Sequence, residues 1–359
     1  KYLEDGTETE LAPADTRYGE LGKDYTETAK TIDGYHLIAD CPAEYPHKIG
    51  EGDNTVIFLY EKDSVAYTVN HYLNGTETKV ADSDTKYAPW GSVVSAADCA
   101  KDIAGYTVVD GQDATITVER SGSNVIDVYY YRNVTLTANS DTKTYNGLEQ
   151  SVSGFTGAPE GADFSAITVG AAGTNVGKYG AIFAKGTVGT VDATGKYIVT
   201  EAKPGGLLIT PYADEIVIKI KGATDSKTYN GAEQSVEGFT VESISTNLIT
   251  KDQVVLRTDV AAKATGTNVG TYTMGLAGTS FTLADGVSNN FTSASIRFDV
   301  TDGALTITKR PVTLKSADLS KEYDGTALVN GQTALETETG WAEGEGATYT
   351  FTGSQTTVG

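Results

Sequence analysis

The sequence predicts a mainly β fold with little helix, arranged as a string of tandem modules. Three observations carry that prediction. One phrase occurs twice: DTKTYNGLEQSVSGFT from Asp141 and DSKTYNGAEQSVEGFT from Asp225 agree at thirteen of sixteen positions, 84 residues apart. Thr, Val and 21 Tyr recur along the chain, and β-branched and aromatic side chains fit a pleated surface. Finally, 40 Gly against 8 Pro supply the tight turns that short strands need.

Two repeat types stand in series. In the first, with a period near 70, GTETE at 6–10 recurs as GTETK at 75–79, and DTRYGELG at 15–22 as DTKYAPWG at 84–91. AKTIDGY at 29–35 recurs as AKDIAGY at 100–106, and GDNTVIFLY at 52–60 as GSNVIDVYY at 122–130. In the second type, TYNG at 144–147 and 228–231 is followed by GTNVGKY at 173–179 and GTNVGTY at 266–272. Each unit closes on GGLLIT at 205–210 or GALTIT at 303–308, and a third copy starts at 312 and runs to the last residue. The expected modules are 1–62, which lacks its first strand, then 63–133, 134–211, 212–310, and 311–359, which stops midway. Both ends thus fall inside modules, as in a piece of a longer chain. Linkers are expected near Lys62–Val65, Arg132–Val134, Tyr212–Glu215 and Arg310–Pro311.

Each phrase has a local meaning. Asn-Gly supplies φ > 0 cheaply, so TYNG reads as a type I′ hairpin turn between a strand ending at Tyr145 or Tyr229 and one carrying Val152 or Val236. Phe155 and Phe239 fall at inward positions, and G-x-L-x-I-T alternates as a half-buried strand does. The best helical stretch is VVSAADCAKDIAG at 93–105, with Ser95 as N-cap and Gly105 as stop; its counterpart YTETAKTIDG is marginal.

The net charge of −21 is spread along the chain, and no basic patch offsets it, which excludes phosphate backbones as partners. Diffuse acidity reads first as solubility. Calcium at ADSDTKY, 81–87, is a weaker option without EF-hand spacing, and no other cofactor is implied. Cys41 and Cys99 stand alone, too few for a zinc site, and read as unpaired thiols rather than a bridge. No run of 18 apolar residues spans a membrane, and KYLEDGTETE is not a signal peptide. Of three histidines, His36, His47 and His71, none stands in a catalytic motif, so no enzyme activity is expected.

Residues 1–133 resemble the MucBP (mucin-binding-protein) repeats of bacterial surface adhesins. The resemblance rests on the D/N-G-T turn, the spaced glycines of YGELGKDY and YAPWGSVV, the I-x-G-Y step and the closing aromatic strand. Residues 134–359 are similar to MBG or YDG modules, carried by TYNG, EYDG, GTNVG-x-Y and G-x-L-x-I-T. The resemblance implies ubiquitin-like β-grasp modules (α+β in type) in the extracellular stalk of a wall-anchored bacterial surface protein. Host mucin or glycoprotein glycans would be the partners of the MucBP-like modules. The alternative is a pure spacer projecting a distal domain; a third reading is an accessory region of a cell-wall polysaccharide hydrolase. A monomer is expected, with strand-edge pairing as the hazard at the incomplete last module.

Carbohydrate sites need flat aromatic faces with polar groups beside them. Residues shared by both repeats report the fold first, so Tyr18 and Tyr87, Tyr35 and Tyr106, and Tyr60 and Tyr130 read as framework. Aromatics that differ between copies are the ligand candidates. Trp90 replaces Leu21 beside Tyr87, and Tyr45 and His47 lie in CPAEYPHKIG, which has no close counterpart in module two. Strand alternation puts Tyr129 and Tyr131 on the face opposite Tyr130. A Trp90 that closes its own module is the competing reading for that residue.

Overall fold

Period-two burial organises nearly every segment of the computed structural model, which describes residues 1–358. The fold is mainly β; among the described residues the sole α-helix is the four-residue Ala96–Cys99. The chain forms two compact units. One comprises Lys1–Asn139, Ser153–Ala171 and Gly180–Gly206; the other comprises Ser140–Val152, Ala172–Tyr179 and the chain from Leu207 onward.

In the first unit, residues 1–62 build a four-stranded sheet in the order Glu10–Ala12, Tyr2–Glu4, Phe58–Lys62, Tyr35–Leu37. Tyr2–Glu4 runs parallel to Phe58–Lys62, and Tyr2, Phe58 and Tyr60 fill the core, with Tyr2 and Phe58 stacked 5.8 Å apart. A second, two-stranded sheet pairs Asp24–Thr28 with Glu44–Lys48. The marginal helix expected at 25–34 is therefore in large part a strand. Tyr25 and Glu27 alternate with β-branched Thr, and a ladder with Glu44–Lys48 uses the backbone groups that a helix would need.

The next sheet has the order Tyr106–Val108, Val125–Ala138, Ser64–Leu73, Lys79–Pro89. Tyr67, Val69, Ile126, Val128 and Tyr130 fill its core with Ala96, Cys99 and Val118. The helix expected over 93–105 is a single turn. Ser95 caps it as expected, accepting from the Asp98 amide at 3.1 Å, but Ala100 is already extended at ψ 145°. Only Ala96 and Cys99 of that turn are buried, too small an apolar stripe to propagate a helix, and Val93–Ser95 is taken up by pairing with Thr115–Thr117. Both cysteines are free.

No flexible linker occurs at Arg132–Val134, because the strand Val125–Ala138 is continuous through it. Its residues 126, 128 and 130 are buried in one core, residues 134 and 136 in the next, and Ala138 in a further cluster with Val169 and Ala181, with Arg132 exposed at the crossing. In the second core, Val134 and Leu136 meet Phe164 and Val199, and the strand runs parallel to Tyr197–Lys203.

The loop before that strand is held by buried Asp192. Its carboxylate accepts from the amides of Asp163, Thr194, Lys196 and Tyr197 and from the Thr194 hydroxyl. Burial alone would raise its pKa; these donors outweigh burial and hold it at about 2. A carboxylate depressed in the folded state stabilises fully above its ordinary pKa and loses that contribution as pH falls through about 2. We expect about 2 kcal/mol to vanish between roughly pH 5 and pH 1. Hydrogen exchange over 163–197 measures it, and an unchanged acid response in Asp192→Asn would refute it.

In the second unit the repeated phrase corrects expectation. The strands around the second TYNG do not pair with each other: Thr224–Thr228 runs parallel to Ala304–Thr308, while Gln234–Glu237 pairs with Lys263–Gly266. A type I′ turn needs φ > 0 at both central residues, and only the glycines have it, Gly147 at 78° and Gly231 at 83°. The asparagines instead accept from the amide two residues on, Leu148 and Ala232, each at 3.0 Å. The phrase is thus a corner between two sheets. Side chains bridge it identically in both copies: Lys143 reaches the Ser151 carbonyl and Gln150 that of Thr144, and Lys227 reaches Ser235 and Gln234 reaches Thr228. Two expectations in this unit hold: Phe239 is half-buried against Phe281, and the closing strands bury Leu207 and Ile209, or Leu305 and Ile307.

Candidate functional site

A groove of about 620 Å³ opens in residues 1–61 between the four-stranded sheet and the Asp24–Thr28/Glu44–Lys48 ladder. Tyr2 and Phe58 form its floor, Tyr18 and Tyr25 add aromatic surface, and Asp15, Arg17, Glu27 and His47 supply polar groups. Antiparallel register sets His47 opposite Tyr25 and Tyr45 opposite Glu27. His47 Nδ1 is buried and has no hydrogen-bond partner, a cost that a ligand hydroxyl would relieve.

The charges are arranged in pairs. Lys30 Nζ lies 3.0 Å from Asp15 and 4.4 Å from the centre of the Tyr2 ring, and Tyr2 Oη donates to Asp15 at 2.9 Å. Burial, then the Asp15 hydrogen bond, pushes the Tyr2 phenol up to about 12. Lys30, and after it Tyr2, holds the Asp15 carboxyl below its usual range. Arg17 stands 3.5 Å from Glu27. Acceptors, donors and aromatic faces together suit a hydroxyl-rich ligand.

The residues singled out in the sequence fall in three places. His47 lines the groove, and Tyr45 is 46% exposed two residues before it. Trp90 is half-buried against residues 34 and 35: its indole donates to the Gly34 carbonyl at 2.8 Å and its ring meets that of Tyr35 at a near right angle, 5.4 Å between centres. Tyr87, three residues earlier, is exposed. Tyr129 and Tyr131 are half-buried on the face opposite Tyr130, as alternation predicts, and Tyr129 sits 6.2 Å from Tyr72. The framework reading holds for Tyr60 and Tyr130, which are 1% and 0% exposed, but not for Tyr18 and Tyr87, at 98% and 69%. Tyr18 lies in a loop and Tyr87 in the strand Lys79–Pro89, so their equivalence reports a shared exposed position instead.

Tyr2, Asp15, Arg17 and Tyr25 were missed as groove residues. Tyr25 carried a signal, since KDYTET has no aromatic counterpart in the second module's SVVSAA. Of the other histidines, His71 is fully buried, held by Tyr130 Oη at 3.1 Å and Asp84 at 2.9 Å. Lys101, then His71, keeps the Asp84 carboxyl low, and this network ties strands together rather than opening on a cleft. Asp84 is thereby committed within 81–87, and among the described residues no group of His, Cys, Asp and Glu is placed to hold a metal ion. No helix among them is long and apolar enough to cross a membrane.

Comparison with known proteins adds two likenesses. The chain is 27% identical over 274 residues to Internalin J of Listeria monocytogenes serotype 4b (strain F2365), which covers 68% of this chain. The match spans 28% of the length of that protein. The second likeness falls on the groove itself: residues 1–61 match the MucBP domain family, over the same stretch in which the aromatic and polar groups converge.

Proposed function

We propose that the chain is an adhesion segment of a bacterial cell-surface protein, in which the MucBP domain takes mucin-type glycans in the groove beside Tyr25 and His47. The observation that carries this reading is the unpartnered His47 Nδ1, buried next to aromatic faces and carboxylates. Sugar hydroxyls donate and accept at once, and their apolar faces stack on rings. A net charge of −21 repels sialylated or sulfated chains, yet screening beyond roughly 8 Å at physiological salt leaves short-range contacts intact. Weak binding through MucBP-like modules gains by multivalency. The MBG-like modules act as the stalk behind them, outside the cell and anchored through the parent protein.

Full-length chain on immobilised mucin tests the proposal. Saturable binding, lost after glycosidase treatment and weakened about tenfold by His47→Ala or Tyr25→Ala, is expected, the worth of one hydrogen bond or stacked ring. No binding even in multivalent display would leave the spacer reading. That alternative has its own support in the strand Val125–Ala138, which joins two cores without slack.

A further inference from the structure

We infer that the first two modules form one mechanical and cooperative block, pinned by Trp90. A single residue, Asp63, separates the last strand of the MucBP domain, Phe58–Lys62, from the strand Ser64–Leu73. Both main-chain polar groups of Asp63 are bonded across the junction. Its amide donates to the Gly34 carbonyl at 2.9 Å and its carbonyl accepts from the Trp90 amide at 3.2 Å. The Gly34 carbonyl also accepts from the Trp90 indole at 2.8 Å, so one oxygen of the first module holds the second module at two points.

Cations complete the clamp. Lys62 Nζ lies 4.7 Å from the centre of the Trp90 ring, and the Arg120 guanidinium lies 5.8 Å from it. Lys62 also reaches Glu4 at 3.5 Å, and Arg120 is 2.7 Å from Asp33, bridging back to the first module. Gly34 holds φ +81°, a conformation that favours glycine, and a Cβ there would stand 2.5 Å from the Arg120 guanidinium and displace it. Tyr35 closes the aromatic side, 87° to the indole plane. His36 bridges Glu61 at 3.1 Å and Asp63 at 2.9 Å, which stiffens the connecting residues themselves. Trp90 thus spends its donor and its contacts with Tyr35 and Lys62 on the neighbouring module, and Arg120 ties its face to Asp33 there. Rotation about Asp63 must break these bonds together, and the first module's closing strand leans on a seat that the second module supplies.

Hydrogen exchange on the full chain distinguishes this from a Trp90 that serves its own module. In the unsubstituted protein, amides of 58–62 and of 64–73 open with the same protection. Trp90→Ala is expected to lower protection of 35–37 and 58–62, in the other module, at least tenfold, and to change the core amides of Val128 and Tyr130 less than threefold. Arg120→Gln and Lys62→Gln, which leave the indole in place, should lower 58–62 by a smaller factor in the same direction. Loss confined to residues 64–133, or no change at 58–62 in any of the three variants, overturns the inference. Mucin binding is read separately, so its absence leaves this result untouched.

Discussion

Replacing Leu305 by Ala is expected to cost about 2–5 kcal/mol, the range for truncating a fully buried leucine. Leu305 is 0% exposed and packs with Ala264 and Ile307 at the centre of the second unit. Its strand, Ala304–Thr308, lies between Thr224–Thr228 and Gly270–Thr273, so no free edge lets the site collapse around the cavity. Calorimetry of the full chain should show one transition moved down while the rest stays. Thr306→Ala, on the opposite face of the same strand, should move it by less than about 1 kcal/mol. An equally small shift for Leu305→Ala would mean that the G-x-L-x-I-T strand is not the core of its module.

Gly205→Ala should cost about 3 kcal/mol, the upper part of the range for overpacking. A Cβ at Gly205 would stand 2.3 Å from the Ala138 carbonyl oxygen and 2.4 Å from that of Asn139. Both obstacles are backbone, one of them at the end of the long strand that joins two cores, and neither can swing aside. Removing a glycine ordinarily stabilises by about 0.4–1 kcal/mol through the unfolded chain, so here the clash wins. The same crossing recurs at Gly303, where a Cβ would stand 2.4 Å from the Ala223 carbonyl oxygen, which gives the leading glycine of the motif a steric reason. Gly180→Ala, whose Cβ would meet only Ile182 at an ordinary 3.6 Å, is the control, and equal melting temperatures for the two variants would refute the argument.

The acid response of the Asp192 loop and the mucin assay probe different levels of the same molecule. One tests whether a buried carboxylate orders a loop of the first unit. The other tests whether an unsatisfied imidazole in the MucBP-like residues 1–61 is there for a ligand. A structural histidine at 47 would leave binding unchanged on substitution while still altering the Asp24–Thr28/Glu44–Lys48 ladder.

The sequence by itself determined whatever depends on near neighbours. Alternation in VIDVYYY put Tyr129 and Tyr131 opposite Tyr130, Ser95 was legible as a cap, and the glycine of Asn-Gly was legible as the φ > 0 position. These follow from the two-residue period of a strand and from local sterics, which a short window contains. Tertiary structure decided what pairs with what. Side-chain period says which face a residue takes but not which strand lies beside it, so TYNG read as a hairpin although its strands belong to different ladders. The same limit hid the groove, whose Tyr25 and His47 meet only through antiparallel register. It hid the pin as well, because the partner of Trp90 is the carbonyl of Gly34, 56 residues earlier, and a bond across that distance is fixed by packing alone.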